Sequence, residues 1–435
     1  MTVRSTLATA AVLIGVLAAG SWIIRAWNLR GCANQIPPLD ELRADAKEWT
    51  RFRGPNGSGL GVAPNLPEVF SEKDYNWRIA LPGSGHSSPV VWGDRIFVTA
   101  NPEGAARRAL VCVSAKDGQT LWQKDYDTPE YRMHGDNSYA AASPAVDAER
   151  VYVHWASPEA SGIAALDQAS GKELWKVELG PFISEYGPGS SPIVFEGEVL
   201  LNFDQDQPKS FLLALDARSG KERWRWEHPG RKISASSPCI FVPRNGPPQV
   251  LTMSYTAGLC ANDVCTGKLA WRLSKVFTKR CVASPIVTSS GLIIAQCGET
   301  WSESSVHEVQ PAPNGRSAKQ IAEVARVAGA IPTPIVSGDR LYLWKETGLV
   351  TCLNLATNEQ VWSERTPGPF FGSPVCVNGR LYNMSKRGEL VVLATGDQYK
   401  LIARIPLGEV TSATPAISGG RMYLRTATHL ISVGK

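Results

Sequence analysis

The side chains of this sequence that could bind a metal or move protons are histidines and carboxylates spread over successive stretches of the chain. His86 and His134 are candidates because imidazole binds transition metals and acts as a general base near neutral pH. They are 48 residues apart, and no His-Glu-x-x-His or Gly-x-Ser-x-Gly motif occurs. The sequence therefore predicts neither a catalytic residue nor a metal site. The role of these residues depends on where the strands and loops that carry them lie in the fold.

A repeat of 40 to 55 residues runs through the chain. Its first mark is a Ser or Thr followed by proline and small or β-branched residues, as in "SSPVV" and "ASPAV". Most copies continue with a tight turn and a second strand, and the clearest add two more strands around a Ser/Thr-Gly turn, as in "LLALDARSGKERW". The eight prolines are Pro89, Pro144, Pro192, Pro238, Pro285, Pro334, Pro374 and Pro415. Four short strands per repeat are typical of a propeller blade, so the sequence predicts an all-β, eight-bladed β-propeller.

The ring is expected to be closed by an N-terminal strand. After Pro415 the sequence supplies two further strands and stops one strand short of a blade. The segment "YNWRIAL", from Tyr75, precedes the first repeat and has Trp77 at the place of a fourth strand. We therefore expect residues 75–435 to form the propeller, with this segment completing the last blade, because closure removes exposed sheet edges.

The residues before Tyr75 predict two further segments. Ser5 to Ile24 are twenty consecutive uncharged residues, which is long enough for a membrane-spanning helix. We expect residues 1–30 to be a membrane anchor or a cleaved signal segment, with the propeller exported and tethered to a membrane. Residues 31–74 are expected to be a linker and a glycine-rich latch, "WTRFRGPNGSGLG", whose Trp49 and Phe52 pack on the ring. The alternative is that Arg51 or Arg53 contacts a ligand directly.

Strand direction predicts a polar cluster at one mouth of the central channel. A strand that carries proline belongs at a free edge, which in a propeller lines the channel. In an antiparallel blade the start of this strand and the end of the second lie on the same face. The residues at these places that we select as ligand-binding candidates are His86, His134, Asp136, Asn137, Tyr186, Asp204, Asp206 and Arg280. They predict a pocket for a small molecule, sugar, cation or peptide, against the alternative of solvated loops.

Charge and cysteine content exclude some classes of protein. The formal net charge is +5, and no run of lysine or arginine exceeds two residues, so we expect no nucleic-acid partner. Nine cysteines without metal-ligand spacing define neither a zinc site nor a disulfide framework. Cys112 and Cys352 are expected in the core as small apolar residues. Cys281 and Cys297 flank a hairpin and are either free or joined across it in an exported protein.

The Ser-Pro hairpin followed by "ALDARSGKERW" resembles the repeat of the pyrroloquinoline-quinone-like propeller family from about Tyr75 onwards. The opening "WTRFRGPNGSGLG", with "GHSSPVVWGDRIFVT", is similar to a bacterial subgroup common in planctomycetes. The resemblance implies that each repeat tryptophan docks on the neighbouring blade beside its Gly-Lys turn. The fifth blade departs from the pattern with "APNGRSAKQIAEVARV", so its docking contact must be weakened or rebuilt.

The family includes quinoprotein alcohol dehydrogenases and the noncatalytic assembly lipoprotein BamB. A dehydrogenase is expected to have adjacent cysteines, calcium ligands and an aspartate base, whereas no two cysteines are adjacent here and the chain is short. The resemblance therefore favours a noncatalytic binding or scaffold module with a protein partner and without a cofactor. The alternatives are a quinone-dependent oxidoreductase and a protein that processes carbohydrates or other polymers.

Overall fold

The computed structural model describes residue 42 and residues 47–102, 107–299 and 304–435. Within these residues the fold is an all-β propeller of eight sheets, as the repeat predicts. The helix expected in residues 1–30 lies outside the described residues, as do residues 31–41 and 43–46 of the expected linker. The part of the chain that is described holds no helix with the length and apolar character needed to cross a membrane.

Each blade is a sheet of antiparallel strands that the chain supplies from the channel outwards. Three strands precede the first blade: β1 (Leu60–Gly61), β2 (Tyr75–Ala80) and β3 (Gly83–Ser84). Blades 1 and 2 consist of β4 (Val90–Trp92), β5 (Arg95–Pro102), β6 (Arg107–Ser114) and β7 (Thr120–Asp127), then β8 (Ala145–Val146), β9 (Arg150–Trp155), β10 (Ser161–Asp167) and β11 (Glu173–Gly180). Blades 3 and 4 consist of β12 (Ile193–Phe195), β13 (Glu198–Phe203), β14 (Lys209–Asp216) and β15 (Glu222–Pro229), then β16 (Cys239–Phe241), β17 (Gln249–Ser254), β18 (Gly258–Asp263) and β19 (Leu269–Leu273).

The second half of the ring repeats the arrangement. Blades 5 and 6 consist of β20 (Ile286–Val287), β21 (Ile293–Gly298), β22 (Ser304–Pro311) and β23 (Ala318–Ala325), then β24 (Ile335–Ser337), β25 (Arg340–Trp344), β26 (Leu349–Asn354) and β27 (Gln360–Arg365). Blades 7 and 8 consist of β28 (Val375–Val377), β29 (Arg380–Ser385), β30 (Glu389–Ala394) and β31 (Leu401–Pro406), then β32 (Ala416–Ser418), β33 (Arg421–Arg425) and β34 (His429–Gly434), with β2 as the outer strand. β2 pairs antiparallel with β34, with Tyr75 opposite Val433, so the N-terminal strand closes the ring as expected.

A closed circle of hydrogen bonds joins the eight blades around the channel. The Ser or Thr before each repeat proline accepts the backbone N–H of its counterpart in the preceding blade, over 2.8–3.1 Å. Each member is buried, so each bond satisfies an amide that would otherwise be costly to leave unpaired. The members of this hydroxyl ring are Ser88, Ser143, Ser191, Ser237, Ser284, Thr333, Ser373 and Thr414.

Tryptophans on the outer strands make a second set of contacts between blades. Trp175 of β11 donates its indole N–H to the carbonyl of Ala217 in the next blade, at 3.0 Å. A β-carbon on Gly220, which has φ 69° in the following Gly-Lys turn, would lie 2.6 Å from the Trp175 ring. Three other blades repeat this Trp-on-Gly contact, through Trp77 and Gly118, Trp122 and Gly171, and Trp224 and Gly267.

The contact between blades 4 and 5 is rebuilt rather than lost. Trp271 donates to the side-chain oxygen of Gln249 in its own blade, at 3.0 Å. Gln249 in turn donates to the carbonyl of Gly315 in the irregular turn of blade 5, at 2.6 Å. Blade 5 has no tryptophan for blade 6, where Asn358 replaces the turn glycine at φ 61° and donates to Glu308 at 3.1 Å. The departure seen in the sequence thus changes the chemistry of two interfaces.

Four buried cysteines that the sequence singles out, Cys112, Cys281, Cys297 and Cys352, are free thiols. Cys112 and Cys352 are fully buried between apolar neighbours, as expected. Cys281 and Cys297 are also buried, and they do not form the cross-hairpin disulfide that was one of the two readings.

Substituting the turn glycines tests the Trp-on-Gly contact. Gly220→Ala adds a methyl group that the Trp175 ring must move to admit, whereas Gly197→Ala, at φ 76°, meets no atom within 4 Å. We expect Gly197→Ala to cost about 1–2 kcal/mol through backbone strain alone. Gly220→Ala should cost roughly 1–3 kcal/mol more, because overpacking adds to the strain. Urea unfolding followed by circular dichroism measures both, and equal losses would contradict the role of the indole.

Candidate functional site

The centre of the propeller contains a cavity of about 240 Å³. Its wall is built from the loops that enter the first strand of each blade, so one loop after another contributes to it. Seven members of the hydroxyl ring line it: Ser88, Ser143, Ser191, Ser237, Thr333, Ser373 and Thr414. Phe52 of the glycine-rich segment lines it as well. The channel therefore ends at this segment and forms a pocket with one open mouth.

The glycine-rich segment is bound across the channel, beyond the hydroxyl ring. Trp49 is 1% exposed and exchanges two backbone hydrogen bonds with Val91 of blade 1, at 3.1 and 2.8 Å. Asn56 makes a matching pair with the backbone of Ile240 in blade 4, both at 2.8 Å. β1 pairs in parallel with β28 of blade 7. The segment thus contacts blades on opposite sides of the ring, and Trp49 and Phe52 both pack against it.

The two arginines of the segment bind carbonyl groups of the ring. Arg51 donates to the carbonyl of Pro238, and Arg53 donates to those of Pro334 and Pro374, at 3.1 and 3.0 Å. Both guanidinium groups are buried beyond the cavity floor. Neither arginine lines the cavity, so the structure does not support direct ligand contact by them. Their hydrogen bonds hold the glycine-rich segment on the ring.

Three predicted site residues form a stack at the cavity mouth. The ring of Tyr186 lies between the imidazole of His134, at a centroid distance of 4.9 Å, and the guanidinium of Arg280, at 3.6 Å. The Asn137 amide fixes the Tyr186 loop by donating to the carbonyls of Tyr186 and Pro188, at 2.5 and 3.2 Å. These residues come from loops of blades 1 to 5, which the sequence analysis predicted to share one face because of the direction of the strands.

Asp136 is bound to a lysine from the other side of the mouth. Lys386 Nζ lies 2.6 Å from Asp136 Oδ1 and 4.0 Å from the centroid of the Phe371 ring. The imidazole of His134 is 3.8 Å from the other carboxylate oxygen. The pair is partly exposed, which limits its contribution to stability. It joins the loops of blades 1 and 7 across the rim.

His86 lines the cavity beside Ser88. Burial, followed by the positive charges of Arg425 and Lys386, lowers the pKa of the His86 imidazole to about 4. The ring is therefore neutral at pH 7 and can donate one hydrogen bond and accept another. Neither its side chain nor that of His134 forms a hydrogen bond with a serine hydroxyl in the described residues.

Asp204 and Asp206 do not line the cavity. Asp206 accepts the backbone N–H groups of Glu185 and Ile233, at 2.9 and 2.6 Å, and so ties two loops together. Asp204 is 1% exposed, and neither carboxyl oxygen has a hydrogen-bond partner of good geometry. Burial raises the pKa of Asp204 to about 7. The structure thus brings six of the eight predicted residues to one pocket and leaves these two outside its wall.

Three residues at or beside the cavity were missed in the sequence: Phe52 and Phe371 line it, and Lys386 binds the lining residue Asp136. Lys386 directly follows the second strand of its blade, as Asp204 does in blade 3. Phe371 lies three residues before its repeat proline, as His86 does in blade 1. The strand-direction rule would have found both if it had been applied to blade 7. Phe52 carried no such signal, because the sequence does not say which side chain of a latch faces a channel.

A quinone held by calcium, which the resemblance implies for the dehydrogenases, does not fit this donor set. Calcium takes six to eight oxygen ligands, with carboxylates prominent among them. Among the described residues, the cavity wall supplies one carboxylate, Asp136, which Lys386 already binds. Across the described ranges, no three or more His, Cys, Asp or Glu side chains are grouped so that they could hold a metal ion. The residues present therefore do not provide a calcium site at the mouth.

The buried Asp204 gives a pH-dependent stability that can be measured. Its folded-state pKa of about 7 lies above the usual 3.8, so the folded state loses stability as the pH rises through this interval. Asp204→Asn should remove this loss, gaining up to roughly 4 kcal/mol over the wild type at pH 8 and little at pH 4. The pKa of Asp167 is lowered by the Ser170 hydroxyl, so Asp167→Asn should act in the opposite direction. Urea unfolding at several pH values tests both, and a difference for Asp204→Asn that does not change with pH would contradict this assignment.

Comparisons with known proteins agree with the architecture. BamB from Moraxella catarrhalis matches with a TM-score of 0.61 and 14% identity, over 82% of this chain and 96% of that one. The quinohemoprotein alcohol dehydrogenase of Comamonas testosteroni matches with a TM-score of 0.65 and 14% identity, over 94% and 84%. Similarity at such identities shows the fold alone.

The sequence relatives share a part of their length with this chain. A polyvinylalcohol dehydrogenase of a Pseudomonas species is 28% identical over 217 residues, which are 45% of this chain and 31% of that protein. The chain spans about a third of the length of the curated relatives it matches. The family model described as outer membrane protein assembly factor BamB matches residues 71–164, 159–302 and 298–433. Because these matches cover almost the whole ring, the chain belongs to this family of pyrroloquinoline-quinone-like β-propellers.

Proposed function

We propose that this chain is an exported, membrane-tethered propeller that binds a small molecule in the channel pocket and docks a protein partner, without catalysing a reaction itself. The observation that carries the proposal is the pocket. Its wall is a closed ring of hydrogen bonds, and its floor is a latch bound to opposite blades. A preformed concave site with a few fixed polar groups is the usual form of a small-molecule site.

The arrangement of polar groups at the mouth supports binding over catalysis. A nucleophile needs a base within hydrogen-bond reach and a third group that orients the base. Among the described lining residues, the serine hydroxyls accept backbone amides, Tyr186 lies in a stack, and Asp136 binds Lys386. These contacts hold a binding surface in place and leave no imidazole bonded to a hydroxyl.

The membrane tether and the protein partner rest on other observations. The uncharged run from Ser5 to Ile24 supports export and tethering, and the family description names an outer membrane assembly factor. Apolar side chains are exposed on the outer strands of five blades, where a partner could bury them: Leu121, Leu174, Leu269, Ile321 and Leu401. These side chains are the apolar surface that the proposed partner would cover.

A second candidate is a quinone-dependent oxidoreductase, which the similarity to the polyvinylalcohol dehydrogenase favours. Addition of the quinone with calcium distinguishes it, because a bound chromophore would appear. The donor set at the mouth argues against this outcome. A protein that processes carbohydrates would bind its substrate in the same pocket but would release it altered.

Native mass spectrometry of the full chain, purified in detergent from its own membranes, tests the proposed function. We expect a small molecule to be recovered unchanged with the wild type. It should be lost in Ala141→Trp, because Ala141 lines the cavity and the indole would fill it. It should remain in Val410→Trp, where the residue is 59% exposed and outside the cavity lining. A protein partner is expected with all three forms.

The outcomes that contradict the proposal are distinct. A product released by turnover would establish an enzyme, and a bound quinone or metal would contradict a pocket that works without a cofactor. Equal recovery of the small molecule from wild type and Ala141→Trp would show that the pocket is not its site.

A further inference from the structure

The guanidinium of Arg280 is a cation at the cavity wall that has no counter-ion among the described residues. It stacks on Tyr186 at 3.6 Å, and its N–H groups meet no carboxylate and no hydrogen-bond acceptor within the described residues. The neighbouring lysines differ, because Lys232 and Lys279 lie 3.7 and 3.8 Å from the carboxylate of Glu299. Stacking holds the plane of a guanidinium while its edge stays free for a bidentate acceptor.

Three further arginines add positive charge beneath and beside the pocket. Arg51 and Arg53 lie beyond the floor, and Arg425 donates to Ser87 next to His86. All three are buried and bind oxygens of carbonyl or hydroxyl groups, with no carboxylate in ion-pair contact in the described part of the chain. Burial lowers the pKa values of these groups to about 10, 9 and 9, so each stays charged at neutral pH.

The remaining wall is rich in donors and poor in acceptors. Asp136 is the carboxylate of the lining, and Lys386 neutralises it at 2.6 Å. Each hydroxyl of the ring uses an oxygen lone pair to accept an amide, which leaves its proton to donate elsewhere. Burial is the main cause of the low pKa of His86, and the positive charges of Arg425 and Lys386 lower it further. A ligand that carries several acceptor oxygens and a negative charge would match this wall.

We propose that the pocket binds a small organic oxyanion, with its carboxylate or phosphate group on the guanidinium of Arg280 and without a metal ion. This inference rests on the proposed function, because it assigns a ligand class to the same pocket. The volume of about 240 Å³ is below the roughly 300–1,000 Å³ usual for drug-sized ligands. A molecule of the size of a single sugar acid or sugar phosphate therefore fits better than a polymer.

Titration calorimetry of the full chain with three matched probes tests this inference. The probes are D-glucuronate, D-glucose 6-phosphate and neutral D-glucose, each with EDTA present. We expect one or both anions to bind at least about tenfold more tightly than glucose, and more weakly as salt rises. The stronger of the two identifies the oxyanion.

Two arginine variants locate the charge. Arg280→Gln should weaken binding of the preferred anion by about tenfold or more, since one charge-assisted bidentate contact is lost. Arg231→Gln removes an exposed arginine of the same face that does not line the cavity, and should leave affinity unchanged. Thermal unfolding of each variant without ligand checks that the fold is intact.

Failure of this inference can be separated from failure of the proposed function. The oxyanion assignment is wrong if neither anion binds the wild type, if glucose binds as well as the anions, or if Arg280→Gln binds them equally. The proposed function survives those results if a neutral molecule still accompanies the wild type and is lost in Ala141→Trp. Both the oxyanion assignment and the proposed function are wrong if the pocket of the wild type binds no small molecule.

Discussion

The structure depends on one repeated hydrogen bond, from a backbone amide in each blade to the Ser or Thr hydroxyl that precedes the proline of the next. Proline at the following position removes a donor that a channel-edge strand would leave unpaired. The hydroxyl supplies the acceptor that the inner edge otherwise lacks. Because the eighth bond returns to Ser88, no blade can move outward without breaking contacts on both of its sides. The circle therefore fixes the diameter of the channel.

A fixed channel becomes a binding site when one end is blocked. The glycine-rich segment does this through arginines that bind carbonyls of blades 4, 6 and 7 and through the aromatic ring of Phe52. The same arginines leave positive charge under the pocket, because they bind carbonyl groups and no carboxylate of the described chain contacts them. The stack of His134, Tyr186 and Arg280 then places a free guanidinium edge at the mouth. Ring closure, pocket floor and ligand chemistry are thus linked.

The sequence predicted the architecture well because the motifs that define a blade are short and recur along the chain. The features that predict the fold act within one blade or between adjacent blades: Ser-Pro pairs, turn glycines and the Trp77 strand. Because the repeat occurs eight times, its copies support the same eight-bladed prediction. Strand direction also predicted which face carries the candidate residues. It could not predict how far each side chain lies from the channel axis. That distance separates Asp204, which is buried outside the cavity wall, from Lys386, which reaches the mouth. Those outcomes depend on packing between blades that are far apart in sequence.

The most direct test of this account compares two substitutions at Thr333, a buried member of the hydroxyl ring. Thr333→Val keeps the shape but removes the acceptor of the Ser284 amide, whereas Thr333→Ser keeps the acceptor and removes a methyl group. The measurement is the free energy of unfolding of each full chain. We predict that the valine variant loses roughly 1–3 kcal/mol through the unpaired amide, and that the serine variant loses about 1 kcal/mol or less. Equal or reversed losses would show that the hydroxyl ring does not hold the blades together.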